Sequence, residues 1–538
     1  MGSFILTKEQ SEAVEYEGAM VVSACPGSGK TEIVIQKIRR VTPTLSEHKG
    51  VIAISFTRKA SSELKSRCIK DGLNIKQSFF GTIDSFCYKE LIVPFLSRIW
   101  AGKPNDCKVL KRLCEKYREK FTREYTSPTV SNLDDDSGFR LLFEDGVLWM
   151  NSFSALATMI LKRSTAARNF IRAKYSHVFI DEYQDSSDAQ HELFTCLCEI
   201  GLTGVAVGDV NQSIYGFRGG RPELLESLIN MPESFKHFSV NVNHRCHPSI
   251  VNYASRLLDP NFVLIDSGGD IRVWRNYLNG TLRDAGATVA RWVEEWLSKG
   301  SISKMSSVAV LAKKERSLQL FCSGFNCGHR LYIDSPLAKI GSNSSDLYAD
   351  LIGYRYGSIK TAQEIIDRKI ERLNSSRVNG AYLRSTITSL RGDLTVEEIL
   401  SKCNGLASLL GLDDLDEADD ALIAVLNSEE YIKTYSALDA SEVQVMTLHK
   451  SKGLEFKIVI HLDMEEWSFP HRIPGKDWND VVYTSLEQDT NSHYVGITRA
   501  EELCVLIRSS KRQKSNGEFG NSSPSYFLNR PQLNGLYQ

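Results

Sequence analysis

Ala24-Cys25-Pro26-Gly27-Ser28-Gly29-Lys30-Thr31 decides how this chain is read. An apolar run, Met20-Val21-Val22-Ser23, leads into it, and a helical pattern, Ile33-Val34-Ile35 with Ile38, follows. Strand, glycine-rich loop and helix in that order form the setting of a phosphate-binding loop. Gly27 and Gly29 let backbone N–H groups turn inward around phosphates. The helix N-terminus adds the positive end of its dipole. Lys30 has the reach for β- and γ-phosphates, and the Thr31 hydroxyl is a ligand for Mg²⁺. Ala24 stands where the strict pattern has its first glycine, a relaxation the loop tolerates.

Such a loop needs an acidic partner strand. His177-Val178-Phe179-Ile180 supplies one, ending in Asp181-Glu182-Tyr183-Gln184-Asp185. An apolar strand ending in Asp-Glu is the second half of a P-loop ATPase, so ATP and Mg²⁺ are the expected cofactors. Asp181 is the expected metal ligand beside Thr31, and Glu182 the base that orients and deprotonates water. A further strand, Gly204 to Asp209, leads into Asn211-Gln212-Ser213-Ile214-Tyr215-Gly216-Phe217-Arg218-Gly219. Gln212 is placed to sense the γ-phosphate, while Tyr215, Phe217 and Arg218 suit stacking on bases. Upstream, the amide of Gln10 has the donor and acceptor needed for adenine.

Val51 to Phe56 reads as another buried parallel strand, ending in Thr57-Arg58-Lys59-Ala60. Gly81-Thr82-Ile83-Asp84-Ser85-Phe86 is similar in kind. Phe56, Thr57 and Arg58, with Thr82, Ser85 and Phe86, offer rings, hydroxyls and a cation to a single strand. Taken alone, each loop reads first as a capped turn.

From Tyr88 to Lys174 the strand pattern stops and helical spacing takes over (Leu110, Leu113, Tyr117; Leu156, Ile160). Asn243-His244-Arg245 follows Phe238-Ser239-Val240. Arg245 is a candidate phosphate cation, and His244 a candidate for stacking on adenine. A second sheet is expected to begin near Val308-Ala309-Val310-Leu311, to break for helices from Pro336 to Ser436, and to return at Val443-Gln444-Val445-Met446. Next comes Thr447-Leu448-His449-Lys450-Ser451-Lys452-Gly453-Leu454-Glu455. His449, Lys450 and Ser451 suit a nucleic-acid backbone; Gly453 and Glu455 suit the nucleotide, with the carboxylate on a ribose hydroxyl. Tyr494-Val495-Gly496-Ile497-Thr498-Arg499-Ala500 precedes a last strand, Leu503 to Ile507, and Arg499 is the candidate arginine finger.

The 538 residues carry a formal net charge of −1, 42% hydrophobic and 24% charged residues, an ordinary globular composition. With no global basic excess, nucleic-acid contacts must come from local clusters. No apolar run is long enough for a bilayer, and Met1 to Leu6 lacks a basic n-region, so the expected location is cytoplasmic. Twelve cysteines include no CxxC pair. Cys322, Cys327 and His329, or Cys246 beside His244 and His247, do not assemble a tetrahedral set, so reduced thiols are expected.

In motif order from Gln10 to Arg499 the chain resembles superfamily 1 helicases of the UvrD/Rep type. That resemblance implies an α/β fold of two RecA-like P-loop domains with parallel sheets, each carrying a mostly helical insertion. The implied domains are 1–87 with 175–241 (1A), 88–174 (1B), 242–335 with 437–538 (2A), and 336–436 (2B). It also implies ATP between the RecA-like domains, single-stranded DNA across them and 3′-to-5′ translocation. Closer still, the chain resembles the helicase-like subunits of Gabija anti-phage systems. The shared features are Gly81 to Phe86 running on to Pro94-Phe95, Lys174-Tyr175 before the acidic strand, and Asp489-Thr490-Asn491-Ser492-His493-Tyr494. The last departs from the acidic, arginine-rich UvrD/Rep run. This resemblance implies a partner, a GajA-like OLD-family nuclease with an ABC-like ATPase and a Toprim domain. A stand-alone repair helicase and a mainly structural subunit of a nuclease complex remain as alternatives.

Overall fold

Runs of Val, Ile and Ala that are buried on both faces form parallel strands, and here they build two sheets. The computed structural model describes residues 6–216, 219–370, 380–412, 415–475, 480–514 and 516–538. The chain divides into two units, Met1–His244 and Arg245–Gln538.

The strands of the first unit's sheet are β1 (Met20–Ala24), β2 (Gly50–Ile54), β3 (Phe79–Gly81), β4 (Tyr175–Ile180), β5 (Thr203–Gly208) and β6 (Lys236–Val240). Their order is β3-β2-β4-β5-β1-β6, and every pairing is parallel. Val21 pairs with Ala206, and Phe179 with Val205, so the phosphate-loop strand and the acidic strand both flank β5. Their C-terminal ends, where ligands bind in open α/β sheets, therefore meet at one edge.

Between β3 and β4 the chain is mostly helical, including Phe153–Arg163 and Thr165–Lys174. It also holds a parallel two-stranded ribbon, Lys108–Leu110 with Val147–Trp149, that the helical spacing concealed. This insertion shares one continuous core with the sheet: Leu156, Ile160 and Trp149 pack in the same cluster as Ile52 and Val178.

The second unit's sheet has β7 (Val273–Leu278), β8 (Val308–Ala312), β9 (His329–Tyr332), β10 (Val443–Thr447), β11 (Phe456–His461) and β12 (Ala500–Ser509). Its order is β9-β10-β8-β11-β12-β7, again all parallel. The sheet thus begins before Val308. β7 is an edge strand of mixed residues, Val-Trp-Arg-Asn-Tyr-Leu, only half buried, and lacks the apolar run that marks a central strand. Its outer edge is met by the last residue: the Arg275 N–H donates to the Gln538 carbonyl at 2.7 Å, and the Gln538 N–H donates to the Val273 carbonyl at 3.0 Å. The segment between β9 and β10 is helical and carries its own core around Tyr348, Leu351, Leu406 and Leu422. Among the described residues no helix is long and apolar enough to cross a membrane.

Candidate nucleotide and nucleic-acid site

Gly27 (φ 69°) and Gly29 (φ 77°) both adopt the left-handed region that a side chain resists. Gly29 caps the helix Lys30–Val41, so the loop runs directly into that helix's N-terminus. The Ser28 hydroxyl donates to the Cys25 carbonyl at 2.7 Å and tightens the turn. Lys30 Nζ donates to the carbonyls of Ala24 (3.2 Å) and Cys25 (3.4 Å), which folds its ammonium back onto the loop. Gln10 is fully buried. Its amide donates to the Ser28 carbonyl at 2.8 Å and accepts the Thr7 N–H at 2.8 Å, so it braces the loop from behind. The His244 N–H donates to the Gly27 carbonyl at 3.0 Å, which sets an exposed imidazole beside the loop.

Thr31 Oγ1 donates to Asp181 Oδ2 at 2.9 Å. Two hard oxygen donors converging at the phosphate loop fit Mg²⁺. Burial, then the charge of Glu182, push the Asp181 carboxyl above its ordinary range, while Thr31 and Lys30 oppose them. Glu182 has φ 57° and ψ 42°, a left-handed conformation that costs a non-glycine residue about 1–3 kcal/mol. Its carboxylate accepts from the Gln184 amide. Gln184 Oε1 in turn accepts the Asp209 N–H at 3.0 Å, and Asp209 Oδ2 accepts from Gln212 Nε2 at 2.7 Å. Gln184 is wholly buried, and a Cβ at Gly208 would lie 2.5 Å from its Oε1, so glycine there makes room for it. The ends of β4 and β5 are joined by this network, which runs from Glu182 to Gln212. Sequence reading found its two ends and missed Gln184 and Asp209, whose roles arise only from strand adjacency.

At the same edge Phe56, 41% exposed, stacks on Tyr215 with ring centroids 5.5 Å apart and planes 10° apart. Thr57 caps the helix Arg58–Ile69 by accepting the Ala60 N–H, and Thr82 caps the turn Ile83–Phe86. Ser85 is half-buried beside it. Phe86 corrects the expectation made of it. It is fully buried against Phe79 and Tyr175, so no base reaches its ring, and it anchors the Thr82–Ser85 turn instead. Phe217 and Arg218 lie outside the described residues.

In the second unit, Arg245 Nε donates to Glu455 Oε2 at 2.8 Å, and Gly453 (φ 81°) is exposed nearby in sequence. Arg499 is 2% exposed, with Nε donating to the Val495 carbonyl and Nη1 to the Leu454 carbonyl, each at 3.1 Å. His449 is half-buried after β10. Lys450 is held by Asp334 (2.9 Å) and by the Tyr332 carbonyl (3.0 Å). Ser451 is another correction: it is fully buried and its hydroxyl donates to the Leu448 carbonyl, so it faces no backbone phosphate.

A cavity of about 580 Å³ opens at the C-terminal ends of β8, β11 and β12. Lys314, Arg316, Arg472, Arg512 and Lys514 line it with Trp467, over whose ring the Arg472 and Arg512 guanidinium carbons lie at 4.4 and 5.9 Å. Cations around an indole suit a nucleic-acid strand. The runs Lys313 to Arg316 and Lys511 to Lys514 were the signal available in sequence. Under this surface Glu465 is buried, accepting the Ser509 N–H at 2.6 Å; burial and then Asp463's charge push its carboxyl up. The folded chain therefore holds a proton that the unfolded chain releases, and stability falls as pH rises above the ordinary glutamate range. Glu465→Gln is expected to flatten that fall and to raise the melting temperature on the alkaline side; an unchanged profile of melting temperature against pH contradicts the assignment.

The comparisons with known proteins agree with this geometry. The UvrD/REP helicase N-terminal domain model matches residues 6–98 and 104–233, and the UvrD-like helicase C-terminal domain model matches 381–511. The chain is 27% identical over 531 residues to Gabija protein GajB of Bacillus cereus, covering 94% of this chain and 95% of that one. It is 23% identical to ATP-dependent DNA helicase Rep of Buchnera aphidicola, over 97% and 96% of the two chains. It is 24% identical to ATP-dependent DNA helicase PcrA of Staphylococcus epidermidis, over 97% and 86%. With two parallel sheets, a phosphate loop closed on an Asp-Glu strand end, and family models over both units, the chain belongs to the UvrD/Rep helicase family.

Proposed function

We propose that this helicase is a DNA-stimulated ATPase of the 3′-to-5′ translocase type that works with a nuclease partner in anti-phage defence. The observation that carries the motor reading is the unbroken path from Thr31 and Asp181 through Glu182, Gln184 and Asp209 to Gln212. Three residues beyond Gln212, Tyr215 stacks on exposed Phe56. One short segment thus holds both a γ-phosphate sensor and a base platform, which is what coupling hydrolysis to movement requires.

In this reading Lys30 and the loop 24–31 hold the β- and γ-phosphates, Gln10 braces that loop, His244 is the candidate for stacking on adenine, and Gly453 and Glu455 are the second unit's candidates for the nucleotide. Glu182 accepts the proton of the attacking water. Arg245 and Arg499 supply positive charge to the transferring phosphoryl group. Mg²⁺ held by Thr31 and Asp181 supplies charge neutralisation between the phosphates when bound. Phe56, Thr57, Arg58, Thr82, Ser85, Tyr215 and His449 contact the strand, and the basic cavity beside Trp467 is a further candidate surface for it. The defence role and a GajA-like nuclease partner rest on the likeness to GajB. Finding a nuclease gene beside this one would favour that role over stand-alone repair.

Tyr215→Ala tests the coupling. A stacked base contributes about 1–3 kcal/mol, so affinity for single-stranded DNA is expected to fall by roughly 5- to 150-fold. ATP hydrolysis without DNA is expected to fall far less. Equal loss of both, measured in a coupled ATPase assay with and without oligonucleotide, contradicts the role.

A further inference from the structure

A second basic, aromatic surface lies in the insertion of the first unit, outside the residues assigned above. It is a cleft of about 740 Å³ between the ribbon Lys108–Leu110/Val147–Trp149 and the loop at 121–126. Lys111, Arg112, Arg118 and Arg123 line it, and Glu124 is the one carboxylate among its described lining residues. In a chain of net charge −1 such a concentration of cations is a local feature, the kind a polyanion selects.

The aromatic part is built rather than incidental. Phe121, Tyr125 and Trp149 reach the cleft from an aromatic cluster around Phe139, with Phe121–Phe139 centroids at 4.8 Å and Tyr125–Phe139 at 5.2 Å. Buried Asp136 fixes the loop by accepting from the Thr122 N–H (2.9 Å), the Thr122 hydroxyl (2.8 Å) and the Tyr125 hydroxyl (3.1 Å). Trp149 Nε1 donates to the Lys111 carbonyl and Arg118 Nε to the Leu113 carbonyl, which holds the opposite wall. The Arg123 guanidinium lies 5.0 Å from the Tyr125 ring centroid.

The cleft is also joined to the base platform. Asn151 at its rim donates to the Thr126 carbonyl at 2.9 Å, and the next residue, Ser127, donates its hydroxyl to Ser187 at 2.8 Å. A Cβ on Gly219 would lie 3.9 Å from Ser127 and 4.0 Å from Ser187, and the Gly220 N–H donates to the Tyr215 carbonyl at 3.3 Å. The rim therefore packs against the segment that carries Tyr215.

We infer that this cleft is a second single-strand binding site, which takes nucleic acid leaving the Phe56–Tyr215 platform by contacting phosphates with Arg112, Arg118 and Arg123 and bases with the half-buried rings of Phe121 and Tyr125, Trp149 forming the floor beneath them. The inference rests on the proposed function in taking DNA as the ligand, and adds where the strand goes. A strand long enough to reach from platform to cleft gains affinity and salt dependence that a short one lacks.

The test uses the full chain with the double variant R112E/R123E, two exposed positions, and R112Q/R123Q as the neutral control. Anisotropy of labelled short and long oligothymidylate is followed against salt, with melting temperature as the fold check. Loss of two phosphate contacts is expected to lower the log–log salt slope for the long strand by roughly 1.4, about 0.7 per contact. The short strand, which reaches only the platform, is expected to bind the variants and the parent chain alike. A long-strand slope that is unchanged in both variants overturns the cleft inference while the platform reading stands. Competition for the cleft by polyglutamate, with the long-strand slope unchanged, overturns it in favour of an acidic protein partner. Failure of the parent chain to bind either oligonucleotide overturns the proposed function and, with it, the cleft.

Discussion

Glu182→Gln is expected to bind ATP as the parent chain does and to hydrolyse it about 10²- to 10⁴-fold more slowly, the range for losing a general base. The groups proposed to hold the phosphates, Lys30 and the loop 24–31, are not altered by the change. Gln keeps the size of Glu and an oxygen that can still accept from Gln184, so the left-handed turn at position 182 and the path to Gln212 survive. Only the capacity to take a proton is lost. Binding of a fluorescent ATP analogue and single-turnover hydrolysis separate the two effects. Turnover within a few-fold of the parent chain would remove Glu182 from the role of base.

Arg499 offers the other large effect. A phosphoryl-stabilising arginine is worth about 10³- to 10⁵-fold in turnover. Its burial changes how it should be tested. Arg499→Ala removes the donors that satisfy the Val495 and Leu454 carbonyls, and a buried carbonyl left unpaired costs about 1–3 kcal/mol, so lost activity there is mixed with lost stability. Arg499→Lys keeps the charge and much of the volume and loses the planar fork. It is expected to lower turnover by about 10³-fold with little change in melting temperature. Near-normal turnover would show that the guanidinium serves only to tie Val495 to Leu454.

These two residues also mark what the sequence could and could not carry. Lys30, Asp181 and Glu182 could be singled out because each sits in a short motif with the spacing a phosphate and a metal require, and the structure brings Thr31 Oγ1 to 2.9 Å from Asp181 Oδ2. The buried strands were legible because central parallel strands are continuous apolar runs, as in Val308–Ala312. β7 was not, because an edge strand need not be apolar on both faces. Phe86 and Ser451 were misread for a different reason. Each ends a one-turn helix, where the 3.6-residue period is too short to say which side chain faces inward. Gln184 and Asp209 escaped because they meet only through the pairing of β4 with β5. The basic cavity of the second unit draws on segments nearly 200 residues apart, so its charged runs were visible in sequence but their convergence, and the addition of Arg472 and Trp467, was not.

The central claim is that DNA drives ATP turnover through one connected site. Its most direct test is ATP hydrolysis by the purified chain with no DNA, with single-stranded DNA and with blunt duplex, using Glu182→Gln as the blank. The account predicts strong stimulation by single-stranded DNA that disappears in the blank. Turnover that is the same with and without DNA, or none under any condition, would contradict it and leave the chain as a holding or gating subunit.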